Sequence, residues 1–163
     1  MPDTKHTLVA LVEDKPGVLN RVASLFRRRA FNIQSLAVGH SEQPGLSRMT
    51  VVVSGNSAEV EQVRKQLEKL INVVRVSDIT DEAIVARELA LIKVKATAST
   101  RSEIIQLVDI FRANIVDVAS DSLTVEVTGD EDKVESLIEL LRGFGIKEVT
   151  KTGRIALTRG SSL

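Results

Sequence analysis

Six consecutive residues, Asp14-Lys15-Pro16-Gly17-Val18-Leu19, combine side chains and backbone groups suited to holding a small charged molecule. They lie between an apolar strand and an amphipathic helix. Pro16 fixes φ and lacks an N–H, which suits the start of a helix. Gly17 has no Cβ, so a ligand can approach the backbone closely. The N–H groups of Gly17, Val18 and Leu19 then point at one spot, with the positive end of the helix dipole behind them. That spot suits a carboxylate, and Asp14 is placed to attract an ammonium. A carboxylate receptor beside an ammonium receptor describes a free α-amino acid. Asn32, opening the next strand, adds an amide that both donates and accepts. On the motif alone, an ordinary strand-to-helix turn accounts for the same residues at least as well.

Other chemistry finds little support. There is no cysteine, which excludes thiolate catalysis, disulfides and cysteine metal sites. The two histidines, His6 and His40, border strands and read as ordinary surface or strand-end residues without ligand or catalytic spacing. Glu59, Glu61 and Glu68 fall on helix faces, where solvated ion pairing is the default. No catalytic constellation is visible, and no metal or cofactor site is expected. Lys+Arg and Asp+Glu are both 22, so net charge steers the chain toward neither nucleic acid nor an anionic membrane. Phenylalanine is the only aromatic, four in all, and "RMTVVVSG" and "SLTVEVTG" lack the stacking rings of an RNA-recognition module. Neither a secretory signal nor a bilayer-spanning run is present, so a cytoplasmic protein is expected.

The elements that must position the loop are written twice. In the first half, His6–Val12 reads as a strand, and Val18, Leu19, Val22, Leu25 and Phe26 recur at helical spacing. Phe31–Gly39 and Ser47–Val53 form a hairpin around Pro44-Gly45. Val60, Val63, Leu67, Leu70 and Ile71 mark a second helix, entered through a capping box at Asn56 and Glu59, and Val73–Ile79 a fourth strand. The second half repeats this order. Leu89–Ala96 is a strand, Thr100 and Glu103 resemble a capping box, and Ile104, Val108 and Phe111 mark a helix. Ile115–Ala119 and Leu123–Thr128 make a hairpin, Val134, Leu137, Ile138 and Leu141 a helix, and Ile146–Thr150 a strand. The segments "LFRRRAFNIQSLAV" and "IFRANIVDVAS" match locally. The expectation is an α+β protein of two tandem ferredoxin-like βαββαβ units, each an antiparallel sheet with helices on one face.

The units divide as residues 1–80 and 81–163, joined by the polar link Asp78–Arg87. Each is near the lower size limit for an independent core, and one sheet face and an edge strand need cover, so an oligomer is expected. The loop in the second unit, "ATASTRSE", has neither Pro-Gly nor Asp. The fold therefore makes this turn without them, which favours a separate purpose for Asp14–Leu19 in the first unit.

At this point a resemblance enters. The run "HTLVALVEDKPGVLNRVASLFRRRAFNIQSLAVGHSEQPGLSRMTVVVSG", above all "NIQSLAVG" followed by "LSRMTVVV", resembles the N-terminal ACT domain of acetolactate synthase (acetohydroxyacid synthase) small regulatory subunits. The likeness continues through "VVRVSDIT", "RELALIKV", "FRANIVDV" and "GRIALTRG". It implies a non-catalytic subunit that binds a large catalytic subunit, whose thiamine diphosphate, magnesium and FAD are not held by this chain. It implies that the small subunit raises activity and confers feedback inhibition by valine or another branched-chain amino acid. It also implies a homodimer through the ACT domain, the effector lying between Asp14, Lys15, Pro16, Gly17, Val18 and Leu19 of one chain and Asn32 and Ile33 of its partner. Many relatives carry Asn at position 14 and Gly at position 30. Alternatives are a stand-alone ACT-type amino-acid sensor for another partner and an RNA-binding ferredoxin-like module. Arg27–Arg29 read as favourable charge at a helix C-terminus ahead of a docking role. The tail Lys151–Leu163 reads either as an extra strand or as a segment ordered by the large subunit.

Overall fold

The computed structural model describes residues 4–160. The first three and last three residues, including Ser161–Leu163 of the tail, lie outside the described residues. The order is β1 (Thr4–Glu13), α1 (Val18–Arg28), β2 (Asn32–His40), β3 (Leu46–Gly55), α2 (Ser57–Glu68) and β4 (Val73–Asp78). It continues with β5 (Ile84–Lys95), α3 (Arg101–Ile110), β6 (Asn114–Val118), β7 (Ser122–Gly129), α4 (Glu131–Arg142), β8 (Ile146–Lys151) and β9 (Ile155–Thr158). Two compact units result, one of residues 4–85 with 154–160, the other of residues 86–153. Both are antiparallel βαββαβ units, with strand orders β2-β3-β1-β4 and β6-β7-β5-β8.

In the first unit, alternate residues of the central strands (Leu8, Ala10, Val12; Met49, Val51, Val53) meet the helix residues Val22, Phe26, Val60, Val63 and Leu67 in one core. The period of two on the strands and 3.6 on the helices puts each set on a single face. Phe26 and Phe31 meet edge to face, with centroids 6.4 Å apart. In the second unit Ala90, Ile92 and Val94 with Val125 and Val127 do the same against Ile104, Val108, Val134, Leu137 and Leu141.

The duplication extends to irregularities. The β2–β3 ladder slips between Ile33 and Ser35, and the β6–β7 ladder slips between Ile115 and Asp117. The helix preceding each edge strand ends in a left-handed non-glycine residue, Ala30 at φ 56° and Arg112 at φ 53°. The β1–β4 and β5–β8 ladders also shift at matching points, Leu11/Val12 and Lys93/Val94.

Several expectations need correction. The link expected over Asp78–Arg87 is shorter, because β5 already starts at Ile84. There Arg159 N–H donates to Ala83 O (2.8 Å) and its Nε to Ile84 O (3.1 Å), bonds that periodicity does not reveal. The tail forms a strand, β9, and residues 154–160 group with the first unit rather than the second. Arg154 fixes it, its N–H donating to Ser35 Oγ (2.8 Å) and Nη1 to Thr7 Oγ1 (3.1 Å). Thr100 makes no capping bond, since its hydroxyl accepts from Thr97 N–H instead. Ile71, expected on the core face of α2, is 89% exposed beyond the helix end. His6 is buried rather than superficial: Nδ1 lies 3.0 Å from Asp78 Oδ2 and Nε2 3.0 Å from Thr4 Oγ1.

Candidate functional site

The loop after β1 is built by three sets of contacts. Asp14 N–H donates to Gly45 O (2.9 Å), which ties the loop to the β2–β3 turn. Glu13 N–H donates to Asn72 O (2.8 Å), and the Glu13 carboxylate takes Lys15 Nζ (2.9 Å) and Asn72 Nδ2 (3.1 Å). Asn72 Oδ1 in turn accepts from Arg21 Nη1 on α1. The Lys15 ammonium first, then the Asn72 amide, holds the Glu13 carboxyl below the usual carboxylate range. Lys15 is thus turned toward Glu13 on this side of the loop.

Gly17 sits at the N-cap with φ 83° and ψ −9°, a left-handed conformation that side-chain-bearing residues rarely take. A Cβ built there would meet nothing within 4 Å, so the space above Gly17 is open. No side chain caps α1 and no acidic residue occupies its first turn. The other helices differ. Asn56 Oδ1 accepts from Glu59 N–H and Asp130 Oδ1 from Lys133 N–H, both at 2.9 Å. At α3 the N–H groups of Thr97, Thr100 and Arg101 are all taken within the turn. The expectation for α1 needs one amendment, because Val18 N–H already reaches Lys15 O at 3.4 Å, a long bond. Gly17 and Leu19 N–H make no backbone bond among the described residues.

Asp14 is exposed at the loop edge, its Oδ2 3.2 Å from Nδ1 of His40. His40 ends β2, whereas Asn32 begins it. At a rise of ~3.3 Å per residue, the nine-residue strand holds them about 25 Å apart. The loop and the Asn32 amide therefore do not meet within one chain. Leu19 and Ile33 do share a feature. With Val22, Phe26 and Leu36 they line a narrow apolar cleft between α1 and β2. Leu19, on the apolar stripe of α1, is 46% exposed at its mouth, and Leu36 and Val38 are exposed beside it. The edge strand and the first turn of α1 thus share one open apolar border, beside a polar loop with free amides.

Glu13, Arg21 and Asn72 are not singled out by sequence, and His40 reads there only as an ordinary surface or strand-end residue. Their partners lie up to 59 residues away along the chain, in Glu13 with Asn72, so no local motif announces them. Among the described residues no group of three or more His, Asp or Glu side chains is placed to hold a metal ion. No helix among them is long and apolar enough to cross a membrane.

Two ferredoxin-like units in tandem, with an uncapped Gly turn in the first, define a tandem ACT-type protein. Comparisons with known proteins agree. Residues 8–75 match the model of the AHAS small subunit-like ACT domain, and residues 87–160 that of the small subunit of acetolactate synthase. A probable acetolactate synthase small subunit of Archaeoglobus fulgidus is 59% identical over 157 residues, covering 96% of this chain and 98% of that one. The acetolactate synthase small subunit of Mycobacterium bovis is 55% identical over 160 residues, covering 98% and 95%. The crystal structure of the acetolactate synthase small subunit from Thermotoga maritima superposes with a TM-score of 0.89 at 44% identity, covering 98% and 99%. The chain belongs to the family of acetolactate synthase small subunits.

Proposed function

We propose that this chain is the non-catalytic regulatory subunit of an acetolactate synthase, that it activates the catalytic large subunit, and that it confers feedback inhibition by valine. The large subunit supplies the thiamine diphosphate, magnesium and FAD, and the complex works in the cytoplasm. The observation that carries the reading is the separation of Asp14–Leu19 from Asn32–Ile33 along the exposed edge strand β2. Antiparallel pairing of β2 with β2 of a second copy about a two-fold axis sets the loop of each chain against the strand start of its partner. Two equivalent sites form per homodimer.

In each site the valine carboxylate rests on the Gly17 turn, its ammonium faces Asp14, and Asn32 of the partner closes the polar side. The isopropyl group enters the apolar border of Leu19 and the partner's Ile33, while the Val18 side chain packs into the core beneath. Lys15 and Pro16 shape the loop rather than touch the ligand, Lys15 through Glu13 and Pro16 through its fixed φ. Discrimination between valine and leucine is modest, because one methylene is worth roughly 1–3 kcal/mol in such a niche. Valine alters catalysis only through different affinities for two arrangements of the dimer, a coupling typically of about 1–3 kcal/mol.

Reconstitution with the large subunit tests this directly. Synthase activity should rise on adding this chain and fall on adding valine. A large subunit indifferent to the chain removes the reading. A complex that is activated but insensitive to every branched-chain amino acid removes the effector site alone.

A further inference from the structure

We propose that the helix-free face of the first unit's sheet is the surface that receives an acidic, apolar-tipped segment of the catalytic large subunit, gripped by Arg48 and Arg75. The inference rests on the regulatory reading above and adds to it the place of contact.

Leu11 on β1 pairs with Arg48 on β3 and, across its other edge, with Arg75 on β4. Side chains directly opposite in neighbouring strands share a sheet face, so the three form one row, Arg48–Leu11–Arg75. Strands about 4.8 Å apart put the two arginine Cα atoms about 10 Å from each other, with only a leucine between them. Leu11 is buried but stands outside the helix-side core, which places the row on the opposite face.

Neutralisation of this row is incomplete. The nearest carboxylate oxygen to Arg48 is Glu42 Oε1 at 3.8 Å, beyond hydrogen-bonding distance, on an exposed turn. Arg75 is exposed and makes no hydrogen bond or ion pair among the described residues. Arg64 on the helix side shows what a satisfied guanidinium looks like in the same unit, bound by both Glu61 and Glu68.

Beside the row lies a cavity of about 260 Å³. Val9, Leu11 and Ile79 form its apolar floor, and Leu157 of β9 stands in one wall, itself 61% exposed. The tail strand therefore turns a flat sheet into a trough lined by two guanidinium groups and one carboxylate, Glu82, which leaves it net positive. A ligand matched to it presents a carboxylate or two to Arg48 and Arg75 and an apolar side chain to the floor.

A second copy of this chain is the poorer occupant. A two-fold contact through this face brings Arg48, Arg75 and Glu82 of one copy against the same three of the other, a net positive surface against itself. An acidic partner meets no such penalty. The edge strand β2 is the border used for self-association, so this face stays available in the dimer.

The test compares wild type, Arg75→Glu and the milder double variant Arg48→Gln/Arg75→Gln with a charge control, Lys65→Glu on the opposite helix side. Each is titrated against the large subunit by activation of the synthase and by sedimentation. The arginine variants should need at least tenfold more small subunit for half-activation, with folding by circular dichroism and calorimetric valine binding unchanged. Lys65→Glu should behave as wild type. Raising salt should weaken wild-type association and affect the arginine variants less. Equal half-activation by wild type and the arginine variants overturns the inference while leaving the regulatory reading intact. A change confined to the self-association of the isolated chain also overturns it, by showing the face to be a contact between copies. Failure of wild type to bind the large subunit removes both readings.

Discussion

His40 Nδ1 lies 3.2 Å from Asp14 Oδ2, joining the last residue of the edge strand β2 to the carboxylate at the head of the Pro-Gly loop. One carboxylate oxygen is therefore engaged before any ligand arrives. In the proposed site, an incoming ammonium shares Asp14 with the imidazole or displaces it.

Replacing His40 by Ala should tighten valine binding. The contact is between two exposed groups, and such pairs are worth about 0.2–1 kcal/mol, which corresponds to an effect of roughly 1.4- to fivefold. Calorimetric titration of His40→Ala against wild type measures it. Weaker binding would show that the imidazole supports the ligand instead of competing with it.

Gly17→Asp should abolish valine binding while the protein stays folded. The open space above Gly17 admits the new side chain, so no clash unfolds the loop. The backbone at φ 83° is one that Asp tolerates better than most residues, at a cost of about 1 kcal/mol. The added carboxylate then occupies the position assigned to that of the ligand. Unchanged calorimetric affinity would take the loop out of the site.

Ala30→Gly should raise stability by about 0.5–1 kcal/mol, read as a higher urea midpoint. Ala30 holds φ 56° where Phe31 N–H returns to Phe26 O (3.1 Å) and closes α1. Glycine takes that conformation without the Cβ penalty. A lower midpoint would mean that the loss of unfolded-state restriction outweighs the relief.

Glu13 makes the loop's anchoring dependent on pH. Its carboxyl is held below the usual range by Lys15 and Asn72, so the unfolded chain binds the proton more readily than the folded one. Stability from this group is present above about pH 4.5 and is lost as pH falls through the lower folded value. Urea midpoints measured from pH 3 to 6 should rise less steeply with pH for Glu13→Gln than for wild type. Parallel slopes would show that the carboxylate contributes nothing to the fold.

Much of the architecture was legible because it rests on local periodicity. Val134, Leu137, Ile138 and Leu141 all fall in the core as their spacing requires, and the two-fold repetition fixes the sheet topology. The departures have separate physical origins. Leu19 fits the apolar stripe of α1, yet it faces an open border, because periodicity records which residues share a face and not whether anything covers it. His6 was read as superficial because its partners, Asp78 and Thr4, are brought to it by the fold of β1 against β4. The Thr100–Glu103 capping box was defeated by Thr97, which competes for the same hydroxyl. In the candidate site, the Gly17 turn was readable from Pro16-Gly17, whereas the Glu13–Asn72–Arg21 brace and the His40 contact join residues distant in sequence.

The slips at Ile33/Ser35 and Ile115/Asp117 have a historical consequence. One extra residue in a strand reverses which face every later side chain occupies, and here it turns Leu36 and Val38 to the helix side of the sheet. Two halves with so little sequence in common would hardly acquire the same dislocation independently, at the same step and behind the same left-handed residue. The shared slip is the pattern expected of one unit doubled with its irregularity already in place, and the Pro-Gly turn, present in the first half alone, is where the two halves now differ.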